Sequence, residues 1–237
     1  MNKPWTDGPK ELLQHAVDHL DMGSDFDRRV AMISIDNGVE LSVKTFLGLP
    51  ERARGKKGPS RRELEEASES FPSLLDLLEK YGADEISGVS LDDIEWYHRL
   101  RNQLYHAGNG ITVEKSKVEA YLQLAIALYE GLFGFVPSLD KSAATSTRTG
   151  EFLALWNDFQ RALSEAMPPK QPGDYAFYRK RDFLLQLSSD QAKQYEDLYL
   201  FRNALVHGID TPKPEVIDDY ISQVKQLLTQ VRKHRDA

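Results

Sequence analysis

The 237-residue chain contains no cysteine. That absence excludes disulfide frameworks, cysteine nucleophiles and thiolate metal sites, and it fits a reducing compartment. No apolar run approaches the ~20 residues a membrane span needs. The opening stretch MNKPWTDGPK lacks the apolar core of a secretory signal. These absences predict a cytoplasmic chain with no membrane partner. The P-loop and the G-x-G-x-x-G, G-x-S-x-G and H-E-x-x-H signatures are missing as well, so no cofactor and no metal site are expected.

Positive charge is in deficit. Lys and Arg number 30 against 37 Asp and Glu, a net charge of −7, which argues against broad, nonspecific wrapping of nucleic acid. One local exception is ERARGKKGPSRR, residues 51–62, where Arg52, Arg54, Lys56, Lys57, Arg61 and Arg62 face a single acid, Glu51. Gly55, Gly58 and Pro59 mark it as a loop. It reads either as a solvated charge run or as a surface that guides RNA.

Helical periodicity dominates what remains, and no segment alternates as a strand does. Helices are expected over 11–20, about 25–47, 60–81, a segment opening at Ser90, and about 113–134. Ser60 with Glu63, Ser90 with Asp93, and Ser188 with Gln191 have capping-box spacing. The small, polar stretch 137–148 has linker composition, dividing the chain into domains 1–136 and 149–237. Beyond it, Phe152, Leu155, Trp156, Phe159 and Leu163 form one apolar stripe. Further helices are expected over 175–187, from Ser188 onward, and from about Glu215 to Arg235. The fold class is all-α, two tandem helical bundles.

Histidine is scarce, 6 in all, yet two share one local sentence: RNQLYH at 101–106 and RNALVH at 202–207. At this composition about 0.01 R-N-x-x-x-H strings are expected by chance, so the repetition needs a common cause. The halves align further, with Thr112, Val118 and Tyr121 matching Thr211, Ile217 and Tyr220 at a constant spacing of 99. On a helix the Asn and the His of each copy share a face, being four residues apart. A Gly follows each copy, Gly108 and Gly208, where a left-handed C-terminal residue is wanted.

A helix end alone would account for cation plus glycine, through the negative pole of the dipole. It does not account for the Asn, the fixed spacing or the second copy. Arg offers a planar, permanently charged fork for phosphate oxygens. His carries a proton near neutral pH. Two such pairs would supply the base, the acid and the cations that cleavage of an RNA phosphodiester requires.

The repeated string in an all-helical context resembles the R-x4–6-H signature of HEPN domains (higher eukaryotes and prokaryotes nucleotide-binding), where a polar residue commonly follows the Arg. The segment AMISIDNGVELSVKTFLGLP is similar to the long early helix of bacterial members. The resemblance covers most of 10–134 and, more weakly, 150–235. It implies antiparallel helical bundles that pair through their motif faces into one composite cleft, here as an intramolecular pseudo-dimer, with further pairing of chains left open. It implies a metal-independent endoribonuclease of bacterial defence or toxin–antitoxin systems, with RNA and an antitoxin or defence protein as partners. Arg101, His106, Arg202 and His207 would be catalytic, and Asn102 and Asn203 auxiliary. Members modified by a nucleotidyltransferase carry a Tyr two residues after the His; Gly108 and Ile209 stand there in this chain. Some HEPN domains are noncatalytic binding modules, the alternative reading.

Other polar residues have plainer readings. Asp36, Glu40 and Lys44 run at four-residue intervals as a surface charge stripe, or else line the cleft. His15 and His19 are four apart without an evident third metal ligand. His98 reads as surface or packing. Trp96 and Trp156 read as core.

Overall fold

A computed structural model describes residues 3–106, 112–140, 148–168, 176–208 and 212–235, without the side chains of Tyr105, His106 and Ala176. Every regular element among the described residues is helical. None of those helices is long and apolar enough to cross a membrane. The chain divides into two compact units, 1–146 and 147–237.

Unit 1 is built around one helix. A 3-10 turn, Pro4–Thr6, leads into α1, Asp7–Met22, which ends on Gly23 at φ 79°. Only glycine adopts that left-handed angle without steric cost. Helix α2, Asp25–Gly48, starts from a closed capping box: Ser24 accepts from the Asp27 amide while Asp27 accepts from the Ser24 amide. It is apolar on several faces, with Ala31, Met32, Ile35, Val39, Val43, Phe46 and Leu47 buried. Each large side chain among them contributes ~1.5–3 kcal/mol through removal from water. Helix α1 packs along α2 at Gly38, where an added Cβ would lie 3.2 Å from Leu13.

The helix expected over 60–81 is two. Helix α3, Glu51–Arg54, is a single turn; α4 spans Arg61–Ala67 and α5 spans Phe71–Gly82. Ser70 caps α5 and Pro72 lies in its first turn. Proline is welcome there and would break the interior of a continuous helix. The Ser60–Glu63 box is closed as expected. Helix α6, Leu91–His106, carries the first motif, and α7, Lys115–Phe133, closes the unit against α1, α2 and α6.

Unit 2 has four helices among the described residues: α8, Arg148–Ala166; α9, Ala176–Leu187; α10, Ser189–His207; and α11, Pro214–Arg235. Helix α8 packs on α11, and α10 packs on α9 and α11. The α8 stripe differs from expectation at one place, since Leu153 is buried and Leu155 is only half-buried. Ser188 accepts from the Asp190 amide, but the box with Gln191 is not closed, because Gln191 Oε1 has no hydrogen-bond partner. Trp156 is core, stacked on Tyr195, whereas Trp96 of unit 1 is half-buried, edge-on to Tyr97.

In each unit the matched tyrosine stacks on an aromatic ring of the motif helix, though at a different position of that helix. Tyr121 of α7 stacks on Tyr97 of the first motif helix, centroids 4.4 Å apart. Tyr220 of α11 stacks on Phe201 of the second, centroids 3.7 Å apart. Thr112 lies in the segment before α7; its match, Thr211, is outside the described residues.

Candidate functional site

The first motif ends α6. Tyr97, His98 and Arg101 fall on one side of that helix, because positions i, i+1 and i+4 lie within about 100° of arc. Tyr97 is fully buried, and the Arg101 side chain is 18% exposed. Beneath them sits Asp36 of α2, wholly buried. Arg101 Nε donates to Asp36 Oδ2 at 2.6 Å, and Arg101 Nη2 pairs with the same oxygen. The Tyr121 hydroxyl donates to Asp36 Oδ1 at 2.9 Å. His98 Nδ1 lies 3.1 and 3.2 Å from the two carboxylate oxygens. An ionised carboxylate can only accept, so Nδ1 carries the proton. Phe71, the first residue of α5, stacks on the His98 ring at 4.1 Å and fixes its plane.

Burial is the strongest influence on Asp36 and opposes ionisation. The His98 hydrogen bond, the His98 and Arg101 charges and the Tyr121 hydroxyl together outweigh it, leaving the carboxyl below its ordinary range. The Tyr121 phenol is driven well up, first by burial and then by the adjacent Asp36 charge.

Asp36 therefore leaves the surface stripe expected of it. Glu40 and Lys44 do pair, at 2.5 Å, but Asp36 belongs to the buried face. The signal was in the sequence: Asp36 sits next to Ile35, between Met32 and Val39, amid apolar helical spacing. His98, read as surface or packing, is a hydrogen-bond donor to that carboxylate.

In unit 2, Arg202 is 4% exposed. One relationship recurs in both copies: the Arg Nη1 donates to Oδ1 of the Asn that follows it, at 2.8 Å in Arg101–Asn102 and 3.2 Å in Arg202–Asn203. Helix α8 carries two buried amides, Asn157 and Gln160. Gln160 accepts from Lys180 at 2.7 Å. Burial pushes the Lys180 ammonium down to about 8, and the charge of Arg179 adds to the shift. Burial pushes the Tyr195 phenol up, opposed in part by its Gln160 hydrogen bond and by the Arg202 charge. His207 occupies the last turn of α10, followed by Gly208 at φ 62°, whose amide donates back to the helix. His106 closes α6, but its side chain lies outside the described residues, as do Gly108 and Ile209.

The basic stretch 51–62, expected as one loop, is a loop only between α3 and α4, since Arg52 and Arg54 lie in α3 and Arg61 and Arg62 open α4; three of its six cations pair with local acids. Arg54 donates to the Tyr81 carbonyl at 2.8 Å and covers the Phe46 ring. Lys56 pairs with Glu85 at 2.5 Å, Arg61 with Glu65 at 2.8 Å and Arg62 with Glu66 at 2.7 Å. Arg52 and Lys57 are exposed. His19 Nδ1 meets Asp27 at 2.9 Å, with His15 edge-on to it. Among the described residues no group of three His, Asp or Glu is placed to hold a metal ion.

No known protein family matches the chain, and neither a curated protein nor a solved structure is found to be similar to it.

Proposed function

We propose that the chain is a metal-independent endoribonuclease of the HEPN type, acting in bacterial defence or toxin–antitoxin growth control. The observation that carries this reading is the motif pair itself. Each unit ends a helix with R-N-x-L-x-H, and in each the Arg is held by its own Asn. A cation with a fixed orientation is worth more to a transition state than a mobile one, because reorganisation is avoided.

In the reaction, a base takes the proton of the ribose 2′-hydroxyl and the 2′-oxygen attacks phosphorus. The bond from phosphorus to the 5′-oxygen breaks, and an acid protonates that oxygen. The products are a 2′,3′-cyclic phosphate and a 5′-hydroxyl. His106 and His207 are the proton carriers in this reading, and Arg101 and Arg202 hold the charge that develops on the phosphate. Asn102 and Asn203 aim the two arginines. Arg52, Arg54, Lys56, Lys57, Arg61 and Arg62 are secondary contacts to the RNA strand.

One observation favours the noncatalytic alternative. Asp36 neutralises Arg101 inside the bundle, as a purely structural ion pair would. Incubating the purified full chain with mixed RNA in excess EDTA separates the two. Cleavage that leaves 2′,3′-cyclic phosphate ends supports the nuclease. Intact RNA under all conditions, with His106→Ala and His207→Ala each lowering thermal stability, supports the binding module.

A further inference from the structure

Arginine has five N–H donors. In Arg101 three are engaged: Nε and Nη2 with the buried Asp36 Oδ2, and Nη1 with Asn102 Oδ1. Two remain, and the Arg101 side chain reaches solvent while Asp36 does not. The Asp36 carboxylate is saturated, with Tyr121 and His98 on Oδ1 and Arg101 and His98 on Oδ2. So enclosed, it cannot pass a proton to a substrate or ligate one.

Burying an ion pair of this kind is a poor route to stability, because desolvation offsets most of the attraction and well-packed apolar side chains commonly do as well. Its distinctive effect is geometric. Helices α2, α6 and α7 all converge on one carboxylate, and α5 adds the ring that holds His98. The guanidinium plane is thereby tied to the core of unit 1 rather than to its own flexible stem. We propose that Asp36, supported by His98 and Tyr121, is a positioning residue. It clamps Arg101 so that the two remaining N–H donors meet the non-bridging oxygens of an RNA phosphate. The proposal rests on the nuclease reading given above.

The test compares the wild-type chain with Asp36→Asn, Arg101→Gln and the double variant. Two quantities are read: kcat/KM for RNA cleavage, and affinity for an oligonucleotide made uncleavable by 2′-O-methylation. A misplaced Arg101 should lower kcat/KM on the order of 100-fold. Asp36→Asn should also weaken oligonucleotide binding. In the Arg101→Gln background, Asp36→Asn should change neither quantity by more than about 2-fold, since residues acting as one unit are not additive. The double variant replaces the ion pair by two neutral amides, but should Asp36→Asn alone fail to fold the Asp36 comparison cannot be closed. In that event Tyr121→Phe, which removes one support of the carboxylate, should lower kcat/KM in the Arg101 background and not in the Arg101→Gln background. Losses that multiply instead, or a folded Asp36→Asn chain that cuts RNA as well as wild type, overturn the positioning role and leave the nuclease standing. A wild-type chain that neither cuts RNA nor binds the uncleavable oligonucleotide overturns both.

Discussion

Asp36 of α2 and Arg101 of α6 are 65 residues apart in sequence and meet in the core of unit 1, Arg101 Nε donating to Asp36 Oδ2 at 2.6 Å. The pair joins the element that organises the bundle to the element that carries the motif. A defect on either side should therefore be felt by both fold and site. Asp36→Ala, which leaves the Arg101 charge without its counter-ion, should destabilise unit 1 by about 3–5 kcal/mol. Urea unfolding followed by circular dichroism measures it, and a loss below about 1 kcal/mol would contradict the buried geometry.

The same pair sets an acid limit. Asp36 ionises below its ordinary value of 3.8 in the folded chain, because its hydrogen bonds and neighbouring charges outweigh burial. A carboxyl shifted down stabilises the fold above its unfolded value and loses that contribution as pH falls through the folded value. Glu63 behaves likewise, held down to about 2 first by the Ser60 amide and then by Lys80, the Ser60 hydroxyl and Tyr81. Unit 1 should lose stability as pH falls below about 4, chiefly through Asp36 because solvent screens the part-exposed Glu63, and Asp36→Asn should flatten that limb. An unchanged slope across pH 2–4 in both Asp36→Asn and Glu63→Gln would contradict it.

Gly131 makes a packing prediction independent of function. A Cβ there would lie 2.0 Å from the Glu85 carbonyl oxygen, a backbone atom that cannot swing aside. Gly131→Ala should cost about 1–3 kcal/mol as an overpacked position, although alanine is the better helix former. A thermal midpoint at or above that of wild type would show that α7 and the segment after α5 are not so closely apposed.

The basic stretch 51–62 makes a fourth. If it guides RNA, replacing Lys56, Lys57, Arg61 and Arg62 by Gln should reduce the salt slope of binding by roughly 0.7 for each phosphate no longer neutralised. Glu85, Glu65 and Glu66 already engage three of these four side chains, so the reduction should fall short of that for four phosphates. An identical slope returns the stretch to a solvated charge run.

Much of the fold was legible because helices write their period into the chain. The apolar spacing of α1, α2 and α7 marks their buried faces, and Ser60 with Glu63 marks the start of α4. The break between α4 and α5 was missed, although Pro72 marks it, because apolar periodicity runs on both sides. The site was legible only in part. Repetition singled out Arg101 and Arg202, and local spacing put each beside its Asn. Asp36 was harder, because its role depends on an approach across 65 residues. Three residues of one helix, Asp36, Glu40 and Lys44, look alike as a charge stripe until the packing of α6 and α7 separates the first from the others.

The two R-N-x-L-x-H copies are proposed to serve one reaction. Measuring kcat/KM for RNA cleavage in EDTA for His106→Ala, His207→Ala and the double variant tests that proposal most directly. Each single change should lower the rate by about 10²–10⁴-fold, the usual contribution of a positioned acid or base. The double variant should be little worse than either, because both proton transfers belong to one reaction. His207→Ala should cost the fold only about 1 kcal/mol, as loss of one part-buried side chain in the last turn of a helix commonly does. Single variants that each keep about half the activity, with the double abolishing it, would show two independent sites and contradict the account.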